Sequence, residues 1–137
     1  MSYLLDTNIV SEVRRRRPDA GVLQWFDGVA ASDLFVSVLT IGELRRGVVS
    51  LRRRDGRAAD SLNQWLSGLV SGYGDRVVGV DAAVADRSAR VNVPDPLPVV
   101  DGLLAATALV HGWTLVTRNT GDVERSGVAV VNPFRPT

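Results

Sequence analysis

The 137-residue sequence contains no cysteine and no lysine, and its single histidine is His111. Without cysteine, the chain can form neither disulfide bonds nor thiolate zinc sites, and it cannot use a cysteine nucleophile. One histidine is too few for a histidine-rich metal site and argues against a Ser-His-Asp triad. Any metal ion would therefore be held by oxygen atoms, which favours Mg²⁺ or Mn²⁺ over Zn²⁺.

The sequence also lacks long apolar runs. The N-terminal region reaches Asp6 at once and has neither the basic start nor the apolar stretch of a signal peptide, and no other segment approaches the length of a membrane span. We therefore expect a cytoplasmic protein that does not associate with membranes. Hydrophobic residues make up 45% of the chain and charged residues 23%, which is typical of one globular domain over residues 1–137.

Because lysine is absent, all 16 strongly basic residues are arginines, and they are unevenly distributed. They cluster between residues 14 and 57, so the first half of the chain is basic and the second half acidic, although the net charge is only +1. A guanidinium group pairs well with phosphate and with carboxylate. The arginines thus have two interpretations, contact with nucleic acid or solvation of helix faces. The candidates for contact with nucleic acid are Arg45, Arg46, Arg52 and Arg53.

Short apolar segments alternate with amphipathic segments along the chain. Strands are predicted at residues 2–5, 34–37, 77–80, 114–117 and 129–131, and helices at residues 8–14, 22–29, 41–51, 62–73, 81–91 and 99–111. Residues 94–98, Pro-Asp-Pro-Leu-Pro, are expected to form a rigid loop. The alternation predicts an α/β fold with a central parallel sheet of four to five strands, flanked by helices on both faces.

Four acidic residues fall near the predicted carboxyl ends of the strands. Asp6 directly follows the first strand, and Glu43 lies just past the second. Asp101 lies in the first turn of the helix after the proline-rich loop, and Asp122 follows the fourth strand. Ligands of open α/β sheets bind at this edge, so we expect the four carboxylates to converge. Such a group cannot stay fully ionised without a cation, and Mg²⁺ prefers oxygen ligands.

Each of these acids also has a purely structural interpretation. Asp6 is suited to cap the following helix, and Thr40 with Glu43 matches the capping box Thr-x-x-Glu. Asp101 would be favoured in a first turn by the helix dipole, and Asp122 suits a turn. We favour a shared site because it accounts for all four residues together.

The remaining candidates carry weaker signals. His111 precedes Gly112 and is expected to close a helix at the surface. The tryptophans are expected in the core or in an interface rather than as platforms for stacked bases; they are Trp25, Trp65 and Trp113.

Five segments resemble motifs of PIN-domain toxins of the VapC and FitB type. They cover essentially the whole chain in the expected order: Leu4–Glu12, Thr40–Gly47, Asp101–Ala108, Leu115–Asn119 with Asp122, and Val131–Phe134. One departure is Val123, which stands where an aromatic residue is common in that family.

The resemblance implies a PIN-like fold and a metal-dependent endoribonuclease, the toxin of a type II toxin–antitoxin system. It assigns the binding of one or two Mg²⁺ or Mn²⁺ ions and the hydrolysis of RNA phosphodiester bonds to four catalytic acids, Asp6, Glu43, Asp101 and Asp122. It also implies polar residues that orient ligands or water, namely Thr7, Asn8, Thr117 and Asn119.

The resemblance further implies protein partners. It predicts a homodimer and a small VapB-like or FitA-like antitoxin, which binds DNA and occupies the acidic groove of the toxin. The complex would be a heterotetramer or a larger assembly.

Two other functions remain open at this point. A catalytically silent PIN-like module would bind RNA or a protein partner, but its acidic set should be broken. A haloacid-dehalogenase-like phosphatase also starts with an Asp at a strand end, but it requires a second Asp two residues later, where this chain has Asn8. Receiver domains and P-loop enzymes need a lysine, and no G-x-G-x-x-G motif is present.

Overall fold

A computed structural model describes residues 1–136 and contains one parallel sheet. Its strands are β1 (Tyr3–Leu5), β2 (Leu34–Ser37), β3 (Val77–Val78), β4 (Thr114–Val116) and β5 (Val130–Val131). Their order across the sheet is β3-β2-β1-β4-β5. The central position of β1 is fixed by pairing on both sides, with Leu5 opposite Val36 and Val116.

The α-helices of residues 1–136 connect these strands. They are α1 (Thr7–Arg14), α2 (Ala20–Asp27), α3 (Val38–Arg52), α4 (Gly56–Tyr73), α5 (Ala82–Val91), α6 (Val99–His111) and α7 (Thr120–Val123). Asp55 and Asp81 cap α4 and α5 by accepting hydrogen bonds from backbone N–H groups of the first turn. Gly112 ends α6 in the left-handed conformation (φ 71°), which glycine adopts without steric cost. None of these helices has the length and apolar character needed to cross a lipid bilayer.

Helices cover both faces of the sheet, as the alternating pattern predicts. Successive residues of a strand point to opposite faces. Leu5 therefore packs with α1, α3 and α4, whereas Leu4 packs with Leu104 and Ala108 of α6. Strands with two covered faces need apolar side chains at consecutive positions, which explains the short apolar runs of the sequence.

The side of the sheet on which successive strands lie changes at β1. The chain proceeds from β1 to β2 and β3 on one side and then returns to β4 on the other, so the loops that follow β1 and β4 diverge. Such a switch point leaves a crevice at the carboxyl ends of the two strands. The backbone N–H of Asp6 donates to the carbonyl oxygen of Val116 at 2.9 Å, which places the residues after both strands side by side.

The predicted element types are confirmed, and several bounds differ. Strand 34–37 and helix 99–111 have the predicted limits. The third strand stops at Val78, two residues earlier than predicted, because only Val77 and Val78 pair with β2. The helix predicted at 22–29 ends at Asp27, because Gly28 forms its C-terminal cap.

Candidate active site

Asp6 is the most buried acid of the site, with only 7% of its surface exposed. One carboxylate oxygen accepts a hydrogen bond from the backbone N–H of Thr7 at 2.7 Å. The other accepts from the hydroxyl of Thr117 at 2.7 Å and from the Asn8 side-chain amide at 3.2 Å. Asp6 therefore caps α1, as its structural interpretation predicts, and it is held at the same time by Thr117, which follows β4.

Glu43 is joined to this group through Thr7. The Thr7 hydroxyl donates to Glu43 Oε1 at 2.7 Å and lies 3.3 Å from the hydroxyl of buried Thr40. Glu43 itself is exposed on α3. These contacts connect α1 with α3 at the mouth of the crevice and leave the Glu43 carboxylate facing solvent.

The capping box predicted as an alternative for Thr40 and Glu43 is wrong. The helix begins at Val38, and its cap is Ser37, whose hydroxyl accepts from the backbone N–H of Leu39 at 3.0 Å. Thr40 lies inside the first turn, so it cannot act as the cap. Glu43 is consequently not committed to backbone amides.

Asp101 and Asn119 complete the crevice from the far side. A cavity of about 310 Å³ is lined by Asp6, Thr7, Asn8, Glu43, Val100, Asp101 and Asn119. Asp101 lies in the first turn of α6, and Asn119 precedes α7. Thr117 lies behind Asp6, where its hydroxyl accepts from the backbone N–H of Asn119 at 3.0 Å. Asp122 is an exposed residue of α7 outside this lining.

The charges of the acids act on one another. Burial is the main cause of the raised pKa of Asp6; hydrogen bonds from Thr117, Thr7 and Asn8 oppose this increase, and the charge of Glu43 adds to it. The pKa of Asp101 is also raised, first by burial and then by the negative charges of Asp6, Asp122 and Glu43. Asp122 is thus close enough to act electrostatically on the site.

The chemistry of the donor set suits a hard divalent cation. Three carboxylates and two side-chain amides border one cavity, and a cation would relieve the repulsion that raises the pKa of Asp101. Within residues 1–136, no group of three His, Asp or Glu side chains is arranged as a ready metal cage. Mg²⁺ does not require one, because it usually keeps several waters and binds through one or two carboxylates.

The candidate arginines lie on the exposed face of α3 and just beyond its end. Arg45 donates to Asn63 at 2.6 Å, and Arg52 forms an ion pair with Asp60 at 2.8 Å. Arg46 and Arg53 are exposed beside them. Arg45 and Arg52 therefore help to join α3 to α4.

One buried charge escaped the sequence analysis. Glu12 is only 5% exposed, accepts from the backbone N–H of Asp19 at 2.8 Å and pairs with Arg15 at 3.3 Å. It fixes the arginine-rich segment that follows α1. Its only signal in the sequence was its place in the first motif, because nothing local indicates that a glutamate on a short helix will be buried.

The other candidates pack as expected. Trp25 and Trp65 contact the core on the α1 and α3 face, and Trp113 contacts the core on the α6 face. His111 is exposed at the end of α6 and stacks on Trp113, with ring centroids 4.2 Å apart.

Comparison with known proteins identifies the family. The profile described as "PIN domain" matches residues 3–125. The chain belongs to the PIN domain family. Two relatives match over nearly their whole length. The toxin FitB of Neisseria gonorrhoeae is 34% identical over 137 residues, covering 96% of this chain and 97% of FitB. The VapC ribonuclease Y4jK of Sinorhizobium fredii is 32% identical over 139 residues, covering 97% and 98%.

The fold of a solved relative is also similar. The crystal structure of FitAcB from Neisseria gonorrhoeae superposes with a TM-score of 0.89 at 34% sequence identity, and the match covers 96% of this chain and 97% of that chain. The PIN-like fold implied by the sequence motifs is thereby confirmed.

Proposed function

We propose that this PIN domain is a metal-dependent endoribonuclease and the toxin of a type II toxin–antitoxin system. The observation that carries the proposal is the cavity at the switch point of the sheet, which is bordered by Asp6, Glu43 and Asp101. The similarity to proteins named as a toxin and as a ribonuclease supports this assignment.

Asp6 and Asp101 would be the principal ligands of one Mg²⁺ or Mn²⁺ ion. Such a cation would lower the pKa of a bound water molecule and offset charge on a phosphoryl oxygen. The hydrogen bonds from Thr117, Asn8 and the Thr7 N–H hold the Asp6 carboxylate in a fixed orientation. Because the orientation of this ligand is already fixed, less conformational entropy would be lost when the cation binds.

The exposed acids have complementary roles. Glu43 is anchored through Oε1 by Thr7, so its carboxylate can orient the water that attacks phosphorus in line with the leaving oxygen. Asp122 acts on the site through its charge, which suits the completion of the site or the binding of a second ion. Asn119 borders the same cavity and is placed to contact a phosphate or a water molecule.

The arginines of α3 would guide the RNA backbone to the cavity. Arg46 is exposed on the same helix that carries Glu43, and Arg53 is exposed just beyond the end of this helix. Attraction between arginines and phosphates should make RNA binding weaker at higher salt concentration. Arg45 and Arg52 would contribute less, because Asn63 and Asp60 already occupy their guanidinium groups.

The assembly proposed for this toxin follows its relatives. A small DNA-binding antitoxin of the VapB or FitA type would cover the acidic cavity, and two toxin chains would form a homodimer within a heterotetramer or larger complex. Residues 1–137 would act as a single nuclease domain. Since the proposed substrate is cellular RNA, we expect this activity in the cytoplasm.

The test is cleavage of total cellular RNA by the purified, antitoxin-free protein with Mg²⁺, with Mn²⁺ and with EDTA. Discrete products should require the metal and disappear in Asp6→Asn and Asp101→Asn. The matched control is Asp95→Asn, which removes an exposed carboxylate from the loop before α6 and should leave cleavage intact. If folded protein cleaves no RNA with any metal but still binds it, the catalytically silent module is the correct function.

A further inference from the structure

A second cavity opens beside the acidic one, between α1, α3 and α4. It has a volume of about 320 Å³, and its walls include Leu44, Leu62 and Trp65. Thr7 and Glu43 border both cavities. Whatever occupies the second cavity therefore lies directly next to the site at which we propose that the phosphodiester is cut.

The lining of this cavity combines an aromatic surface with positive charge. The guanidinium carbon of Arg14 lies 5.7 Å from the centre of the Trp65 ring, and Arg15 also lines the cavity. Gly47 on α3 leaves the wall open, since a Cβ at this position would meet no atom within 4 Å. An apolar and aromatic surface beside arginines is complementary to a flat base attached to a phosphate backbone.

We propose that this cavity is a nucleobase subsite, which takes one unpaired base of the RNA next to the cleaved bond and stacks it against Trp65. The inference rests on the ribonuclease function proposed above and assigns part of its substrate recognition. Trp65 packs against the core and also lines the cavity, so its ring is held in place. The Arg14 guanidinium lies over the ring, so the base would stack where this group now lies and the displaced guanidinium would face the phosphate.

The size and charge of the cavity favour RNA over a protein side chain. Its volume is at the lower end of the range for small-molecule pockets, which is roughly 300–1,000 Å³, so it suits one base. An apolar side chain of a protein partner would fill the space but would leave Arg14 without an anionic group, whereas Arg15 already pairs with Glu12. A nucleotide supplies both the flat ring and the phosphate.

The test compares intact substrates with substrates that lack one base. Sequencing the ends produced by the wild-type protein from a random RNA library defines the cleaved bond. Oligonucleotides are then made with an abasic nucleotide on either side of this bond. At one of the two positions, the abasic substrate should be cleaved with about tenfold lower kcat/KM by the wild-type protein, mainly through a higher KM.

Variants then assign the effect to Trp65. Trp65→Leu should lose the distinction between intact and abasic substrates, whereas Trp65→Phe should keep it because its ring can still stack. Trp25→Phe is the matched control, since Trp25 packs against Tyr3 with ring centroids 5.1 Å apart and does not line the cavity. It should retain the full distinction.

A binding readout separates this proposal from the ribonuclease function. RNA should quench the tryptophan fluorescence of the Asp101→Asn variant. The double variant Asp101→Asn/Trp65→Phe should lose this quenching, whereas the double variant Asp101→Asn/Trp25→Phe should keep it. Quenching without cleavage by the wild-type protein would refute the nuclease and retain the subsite. Cleavage that is indifferent to both abasic positions would refute the subsite and retain the nuclease. The subsite is also refuted if Trp65→Leu keeps its base dependence and loses only the binding of the antitoxin, or if neither cleavage nor quenching occurs.

Discussion

Replacing Asp101 by asparagine should stabilise the metal-free protein while it abolishes RNA cleavage. Burial and the charges of Asp6, Asp122 and Glu43 raise the pKa of Asp101, and no hydrogen bond from residues 1–136 contributes to it. The ionised side chain is therefore unfavourable in the folded state. Asparagine has nearly the same shape and removes the charge.

The expected size follows from two opposing effects. Like charges 4 Å apart repel by about 1 kcal/mol in bulk water and by about 4 kcal/mol at an effective permittivity of 20. Asp101 is only partly buried, so we apply the lower figure to the total repulsion between Asp101 and its three acidic neighbours. The dipole of α6 favours the ionised form by roughly 0.3–1 kcal/mol, yet the raised pKa shows that repulsion and burial prevail. Together these effects leave an expected increase in the free energy of unfolding that is positive and at most about 1 kcal/mol.

Urea denaturation in EDTA and in Mg²⁺ measures this effect. In EDTA, Asp101→Asn should be more stable than the wild-type protein, whereas Asp95→Asn should differ by less than about 0.5 kcal/mol. At a Mg²⁺ concentration a hundred times the dissociation constant, the wild-type protein should gain about 2.7 kcal/mol and the variant should gain almost nothing. A variant that is less stable in EDTA, or that gains as much from Mg²⁺ as the wild-type protein, would refute the reasoning.

Three further outcomes are expected. Thr117→Val removes the buried hydroxyl that donates to Asp6, so it should lower the free energy of unfolding by about 1–3 kcal/mol in urea denaturation. Thr117→Ser keeps the hydroxyl and should be more stable than Thr117→Val; equal stability of the two variants would contradict the contact. Glu12→Gln weakens two hydrogen bonds of a buried carboxylate and should cost about 1.5–3 kcal/mol in the same assay, whereas an unchanged midpoint would show that the arginine-rich segment is held by other contacts. Burial raises the pKa of Asp6 and of Asp101, so the folded state holds these protons more tightly than the unfolded chain. The two groups therefore contribute stability as the pH falls through their raised pKa values and lose this contribution as the pH rises. Metal binding needs the ionised form. As the pH is lowered, the Mg²⁺-induced increase in Tm should therefore be lost at a pH that is still above 3.8, the pKa of an ordinary Asp. If the increase persists down to pH 3.8, the raised pKa values are contradicted.

Local patterns of the sequence were sufficient to predict the type of every strand and of every α-helix except the four-residue α7. Helix 99–111 is bounded by a proline and a glycine, and strand 34–37 is a short apolar run, so both limits agree with the structure. Asp6 follows an apolar strand, and its position at the carboxyl end of β1 depends only on that local order. The sequence could therefore predict which edge of the sheet carries the candidate acids.

Contacts between distant residues were decided only by the tertiary structure. The spacing Thr-x-x-Glu matches a capping box, but β2 ends at Ser37 and its hydroxyl caps the helix first. Glu43 is thereby left to accept from Thr7, which is 36 positions away in the chain. No local pattern contains that partner, because it depends on the pairing of β2 with β1.

The same reason separates the four acids. The sequence alone placed each of them after a strand or near the start of a helix, at one edge of the sheet. It could not show which of them would lie close enough to share one cavity. Packing of α6 against the sheet brings Asp101 into the cavity with Asp6, whereas Asp122 on the short α7 stays outside its lining. The second cavity is likewise a product of packing, since its walls come from three helices whose spacing is set by the core side chains between them.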